Sequence, residues 1–337
     1  MVDSGVMDAT TTAPSPDPAP PPATPAAAPA ADTHARALGP AVAAVCAIGL
    51  VGAQVVPRWQ DTYLGPAASL FAGGLLLALA ALALRAGRRP AAAWLLQLVA
   101  TWAAAYGLLE LVHGLLPTTL DPQLAGPVYE RTIKNGVNYI LDRAFQYPFI
   151  ALYALAVLGQ CGPGFTTWWR WGDLARETTV LGAENPMPWG RVLLRLGVVM
   201  ALATAALLFT DLRQREGFAL GPAETFLALA LLVGSFNNAL VEELLYRGVL
   251  QPALLRRFGA GAANHLQAIL FSLLHLSFTY IEPMDVAKDL GFFVIYYAIG
   301  LFLGRAARES DGLAAPTALH FFITAAIRAR QVLPPPG

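Results

Sequence analysis

Six residues in the last third of the chain carry the side chains that amide hydrolysis requires: Glu242, Glu243, Arg247, His275, His320 and Thr324. A carboxylate, alone or with a histidine, can take a proton from water. A second histidine and a hydroxyl can donate to the oxyanion of the tetrahedral intermediate. Glu243 and Arg247 are four apart, so on a helix they share a face in acid-before-base order, and the spacing predicts an ion pair. Glu242 projects about 100° away, on the face of Asn238 and Tyr246, and is the carboxylate expected to move a proton. One glutamate with two histidines is also a known zinc set, which makes Glu242, His275 and His320 candidate metal ligands. The His-Glu-x-x-His spacing that would independently support zinc is absent, and no cofactor is firmly implied. A Gly-x-Ser-x-Gly elbow is absent too, so a serine nucleophile has no support.

These residues sit in apolar surroundings. Glu242 and Glu243 continue a run that begins near Leu229, Phe271 precedes His275 by one turn, and His320 leads Phe321, Phe322 and Ile323. A charged side chain at membrane depth costs several kcal/mol unless paired or hydrated. Each histidine alone reads as a hydrogen-bonded helix contact. One acidic helix and two histidine-bearing helices, in a chain with 5 histidines, read together as a site. Glu110 and His113, three apart in an earlier apolar segment, read as a mutually satisfied pair near the membrane boundary.

The elements that must position these groups follow from composition. Hydrophobic residues make up 56% of the chain, charged residues 13%, and mean hydropathy is +0.53. That is a membrane protein's composition. With 22 basic and 22 acidic residues there is no basic field to recruit nucleic acid. Cys46 and Cys161 are too far apart for a paired thiolate site. Segments near the ~17–25 residues needed to cross hydrocarbon fall at 38–56, 64–84, 91–116, 147–161, 192–210, 223–250, 262–280, 290–304 and 313–327. The fourth, eighth and ninth are short. The expected fold is all-α, a polytopic membrane bundle of about eight to nine transmembrane helices. Residues 1–35 read as a disordered Pro/Ala-rich tail, 36–210 as N-terminal membrane helices with an amphipathic surface segment at 127–146, and 211–330 as the catalytic bundle. Trp168, Trp169 and Trp171 around Arg170 read as an interfacial anchor. Arginines in alternate short loops place the amino terminus in the cytoplasm. The Ala, Gly and Pro richness points to a bacterial inner membrane.

At the motif residues the chain resembles the CPBP family of intramembrane proteases, also called the Abi or CAAX-protease family. Glu242-Glu243-Leu-Leu-Tyr-Arg247 matches its Glu-Glu-x-x-x-Arg motif, and Phe271-Ser-Leu-Leu-His275 its Phe-x-x-x-His motif. His320 meets the final His-x-x-x-Asn motif, with Thr324 in place of asparagine. Gly248 and Gly300-Leu-Phe-Leu-Gly304 are also family-like. The likeness runs over about 223–327 and implies a glutamate-dependent or metallo-endopeptidase. On that analogy Glu242 with His275 activates water, and His320 with the residue at 324 forms the oxyanion site. The expected partner is a membrane-anchored or membrane-proximal protein or peptide, such as a sorting signal or bacteriocin-type peptide, within the lipid bilayer. The alternatives are a non-catalytic immunity or scaffold member of the fold, and a proton-coupled transporter. The absence of paired inverted halves weighs against the transporter.

Overall fold

A backbone in hydrocarbon must satisfy its own polar groups, and long apolar runs do so as helices. The computed structural model describes residues 74, 78–82, 84–85, 87–88, 90–115, 146–180, 184–213, 221–277 and 286–329, and these are almost entirely helical. The helices are α1 (Pro90–Leu115), α2 (Gln146–Cys161), α3 (Trp189–Arg213), α4 (Pro222–Leu245), α5 (Gln251–Ser277), α6 (Val286–Glu309) and α7 (Ala314–Ala329). A two-residue antiparallel pair, β1 (Glu177–Thr178) with β2 (Met187–Pro188), precedes α3. The tail at 1–35, the first expected span and the amphipathic segment before Gln146 lie outside the described residues.

Three described stretches are long and apolar enough to cross a membrane: Trp189–Phe209, Thr225–Leu273 and Ala287–Glu309. The first leaves Leu194, Val198, Val199 and Leu202 exposed, as a helix facing lipid does. The chain is an integral membrane protein. The count of eight to nine spans extends over segments outside the described residues. The eighth expected span, 290–304, is longer in the structure. Its helix, α6, has 24 residues, Val286–Glu309, and runs past the apolar stretch at both ends, with an Arg305–Glu309 ion pair (Nε to Oε1, 2.6 Å) in its last turns.

The sixth and seventh expected spans are joined with little interruption. A single π turn, Tyr246–Leu250, links α4 to α5, and α5 breaks at Gly259, whose φ of 78° is a conformation that costs glycine little. All five residues of the π turn are buried. One apolar cluster gathers Leu95 and Leu98 of α1, Tyr153 of α2, Leu250 of the π turn, and Leu254 and Phe271 of α5. A second joins Trp189 and Val192 of α3, Leu303 and Ala306 of α6, and Ala315 and Leu319 of α7.

The tryptophan segment after α2 straps these helices together. The Trp168 N–H donates to Gly248 O (2.8 Å), and the Trp169 indole N–H donates to Leu244 O (3.3 Å). Both acceptors are carbonyls near the π turn, where regular i→i−4 bonding is disturbed. The Leu313 and Ala314 N–H groups, at the start of α7, donate to Arg170 O and Trp171 O at 2.8 and 2.9 Å. The Arg170 side chain pairs with Asp311. Gly248 is required for the close approach, since a Cβ there would lie 2.5 Å from the Trp169 ring. With Trp169 and Trp171 exposed at 44% and 59%, the segment also has the surface an interfacial anchor needs.

Candidate active site

The end of α4, the π turn, the end of α5 and the first half of α7 bring the predicted residues to one place, against the middle of α6. Glu243 and Arg247 are fully buried, and Arg247 Nη1 donates to Glu243 Oε1 at 2.8 Å, the ion pair expected from their spacing. The same oxygen accepts from His320 Nδ1 at 2.8 Å, across from α7. Because a carboxylate only accepts, this contact puts a proton on Nδ1 of His320. Arg247 Nη2 reaches Gly300 O on α6 (3.2 Å), and its guanidinium stands 4.7 Å from the Phe271 ring centroid, within cation–π range.

Glu242 faces the other way. Its Oε2 lies 3.5 Å from His275 Nε2 and 3.7 Å from His320 Nε2. These separations exceed a direct hydrogen bond. The His275 Nδ1–H donates to Phe271 O (2.8 Å), which leaves Nε2 of the neutral ring as an acceptor turned towards Glu242. Phe271, one turn before His275, lies 4.2 Å from the imidazole centroid. Tyr296 of α6 stacks on it at 4.3 Å and 28°. Thr324 follows His320 by one turn on α7 and is half-buried. The side chains of Glu110 and His113 lie outside the described residues.

Sequence reasoning missed the frame behind this site. Gln267 Nε2 donates to Gly300 O (2.8 Å), the carbonyl Arg247 also uses. Gln251 Nε2 donates to Gly304 O (2.9 Å), and Asn264 Nδ2 donates to Leu301 O (3.1 Å). Three amides at the π turn and on α5 therefore hold the Gly300, Leu301 and Gly304 carbonyls on one stretch of α6, with strength gained from burial. Gly300 and Gly304 allow it. A Cβ on Gly300 would lie 3.0 Å from Ala268, and one on Gly304 would collide with Asn264 and Gln267. The signal was present as Gly-x-x-x-Gly facing polar residues on an apolar helix.

Among the described residues, no group of three or more His, Cys, Asp or Glu side chains is gathered to hold a metal ion. What the arrangement offers is acid–base chemistry: one carboxylate oxygen between two imidazole nitrogens, beside a second carboxylate held by arginine.

Fold and site together define a helical membrane protein with a buried carboxylate–histidine centre. Residues 224–326 match the family model described as type II CAAX prenyl endopeptidase Rce1-like, so this C-terminal segment is similar to CAAX proteases over the stretch that carries the motifs. All six candidate residues fall within the match. No curated protein matches the chain, and no solved structure does.

Proposed function

We propose that the chain is an intramembrane endopeptidase that hydrolyses a peptide bond in a membrane-anchored or membrane-proximal protein, with Glu242 and His275 as the chemical pair. The observation that carries this reading is the convergence of His275 Nε2 and His320 Nε2 on Glu242 Oε2 at 3.5 and 3.7 Å. A water placed among them can give a proton to Glu242 or His275 while its oxygen attacks the carbonyl carbon. Negative charge then develops on the carbonyl oxygen. His320 is held through Nδ1 by Glu243, so a proton carried on its Nε2 can be donated to that oxygen, and the Thr324 hydroxyl adds a second donor at one turn's reach. When the carbon–nitrogen bond breaks, the proton taken from water passes to the departing amine. The products are a carboxylic acid and an amine, and the acid's proton then passes to the amine to leave carboxylate and ammonium. Arg247 takes no part in the chemistry; it keeps Glu243 charged and in place.

Arginines at alternate loops orient the chain with its amino terminus in the cytoplasm, and the composition fits a bacterial inner membrane. The substrates would then be sorting signals, bacteriocin-type peptides or membrane-anchored regulators. The test is comparative membrane proteomics of wild-type cells and cells carrying Glu242→Ala. Uncut precursors accumulating in the variant support the reading; identical profiles, with the variant inserted at normal levels, overturn it. Purified protein should keep its activity after chelation. Loss on chelation with recovery on added zinc would instead make Glu242, His275 and His320 metal ligands.

A further inference from the structure

His275 carries the reaction only while its Nε2 stays turned towards Glu242. Its own helix supplies one hydrogen bond, from Nδ1–H to Phe271 O at 2.8 Å. A single bond at one ring atom leaves the imidazole able to tip about it. Two aromatic rings limit that motion. Phe271 lies 4.2 Å from the imidazole centroid at 42°, and Tyr296 lies 4.3 Å away at 28°. The two rings are 6.5 Å from each other, so they flank the imidazole from different directions.

Tyr296 differs from Phe271 in coming from another helix. It stands one turn before Gly300 on α6, and Gly300 O is held by both Arg247 (3.2 Å) and Gln267 (2.8 Å). The Tyr296 ring is therefore set in register with the Glu243–Arg247 pair. Phe292, one turn earlier, lies 6.4 Å from Tyr296 and extends the aromatic row along α6.

We infer that Tyr296 is a positioning residue, whose ring, carried on α6, holds the His275 imidazole so that Nε2 stays aimed at Glu242. This rests on the endopeptidase reading. It assigns the function to the ring and not to the hydroxyl.

The test uses full-length protein in lipid nanodiscs, a fluorogenic lipid-anchored peptide as probe, and the variants Tyr296→Leu and Tyr296→Phe, with Glu242→Gln as reference. Small misplacements of a catalytic group can cost up to about 100-fold. Tyr296→Leu should lower kcat ~10–100-fold with KM nearly unchanged, and Tyr296→Phe should restore kcat to near the wild-type value. Nitrogen NMR of labelled histidine gives a second readout: wild type and Tyr296→Phe should show His275 as one Nδ1–H tautomer, and Tyr296→Leu as an averaged ring. Tyr296→Met replaces the leucine variant if that fails to insert.

Undiminished kcat in Tyr296→Leu overturns the inference. So does an equal loss in Tyr296→Phe, which would assign the role to the hydroxyl, or a rise in KM alone, which would make Tyr296 a substrate contact. Cleavage retained by Glu242→Gln, or none by wild type, counts against the endopeptidase reading instead. The tautomer comparison then still decides whether Tyr296 holds His275, and an unchanged His275 signal in Tyr296→Leu would end the proposal.

Discussion

Glu243 is fully buried, with one oxygen 2.8 Å from both Arg247 Nη1 and His320 Nδ1. Glu242, one residue earlier on the same helix, keeps 12% exposure and meets its histidines only at 3.5 and 3.7 Å. The difference shows how one helix end can carry two carboxylates with separate tasks. A carboxylate bound tightly to arginine in a low-dielectric interior cannot exchange protons without leaving a buried charge uncompensated. One set slightly beyond hydrogen-bond distance from two imidazoles can admit a water and pass a proton. In the proposed mechanism the Glu243 side supplies rigidity and the Glu242 side supplies chemistry.

The contrast can be broken from the rigid side first. Arg247→Ala would leave Glu243 buried without its guanidinium. Breaking a buried pair in this way costs about 3–5 kcal/mol, so unfolding in mild detergent should shift by that amount and activity should fall with it. A wild-type unfolding curve would mean that Glu243 is not held as described. A smaller effect is expected at the α5–α6 contact. Gly304→Val inserts atoms where Asn264 and Gln267 now sit. Overpacking of this kind costs about 1–3 kcal/mol, and thermal unfolding should register it. Smaller again is the change at the strap. Trp169 is 44% exposed and can swing away at the loss of its bond to Leu244 O, so Gly248→Ala should cost about 1 kcal/mol, the lower end of that range. Its clearest sign would be altered tryptophan fluorescence with activity largely kept.

The Glu243–Arg247 pair was legible in the sequence because a four-residue spacing fixes a shared helical face whatever the fold. The pairing of His320 with Glu243 was not. Those residues are 77 apart, and helical periodicity tells which face a residue occupies but not which helix lies opposite. For the same reason the contact of Tyr296 with His275 had no signal: an aromatic residue in an apolar run carries no local mark of the ring it stacks on. The membrane class and helical architecture were readable from composition, since hydrocarbon leaves the backbone little choice. Span ends were less readable. At α6, charged residues on both flanks of the apolar run lie within the helix, which ends at an Arg305–Glu309 ion pair. The π turn at Tyr246–Leu250 also had no sequence signal, because the strap that holds its carbonyls comes from residues after α2.

The division of labour between the two glutamates is tested most directly by measuring kcat and thermal unfolding for Glu242→Gln and Glu243→Gln side by side in reconstituted protein. Loss of a general base costs ~10²–10⁴-fold in rate. Glu242→Gln should therefore lose activity on that scale while unfolding at the wild-type temperature, and Glu243→Gln should unfold earlier. Retained activity in Glu242→Gln, or an unfolding temperature lowered as much by Glu242→Gln as by Glu243→Gln, would contradict the account.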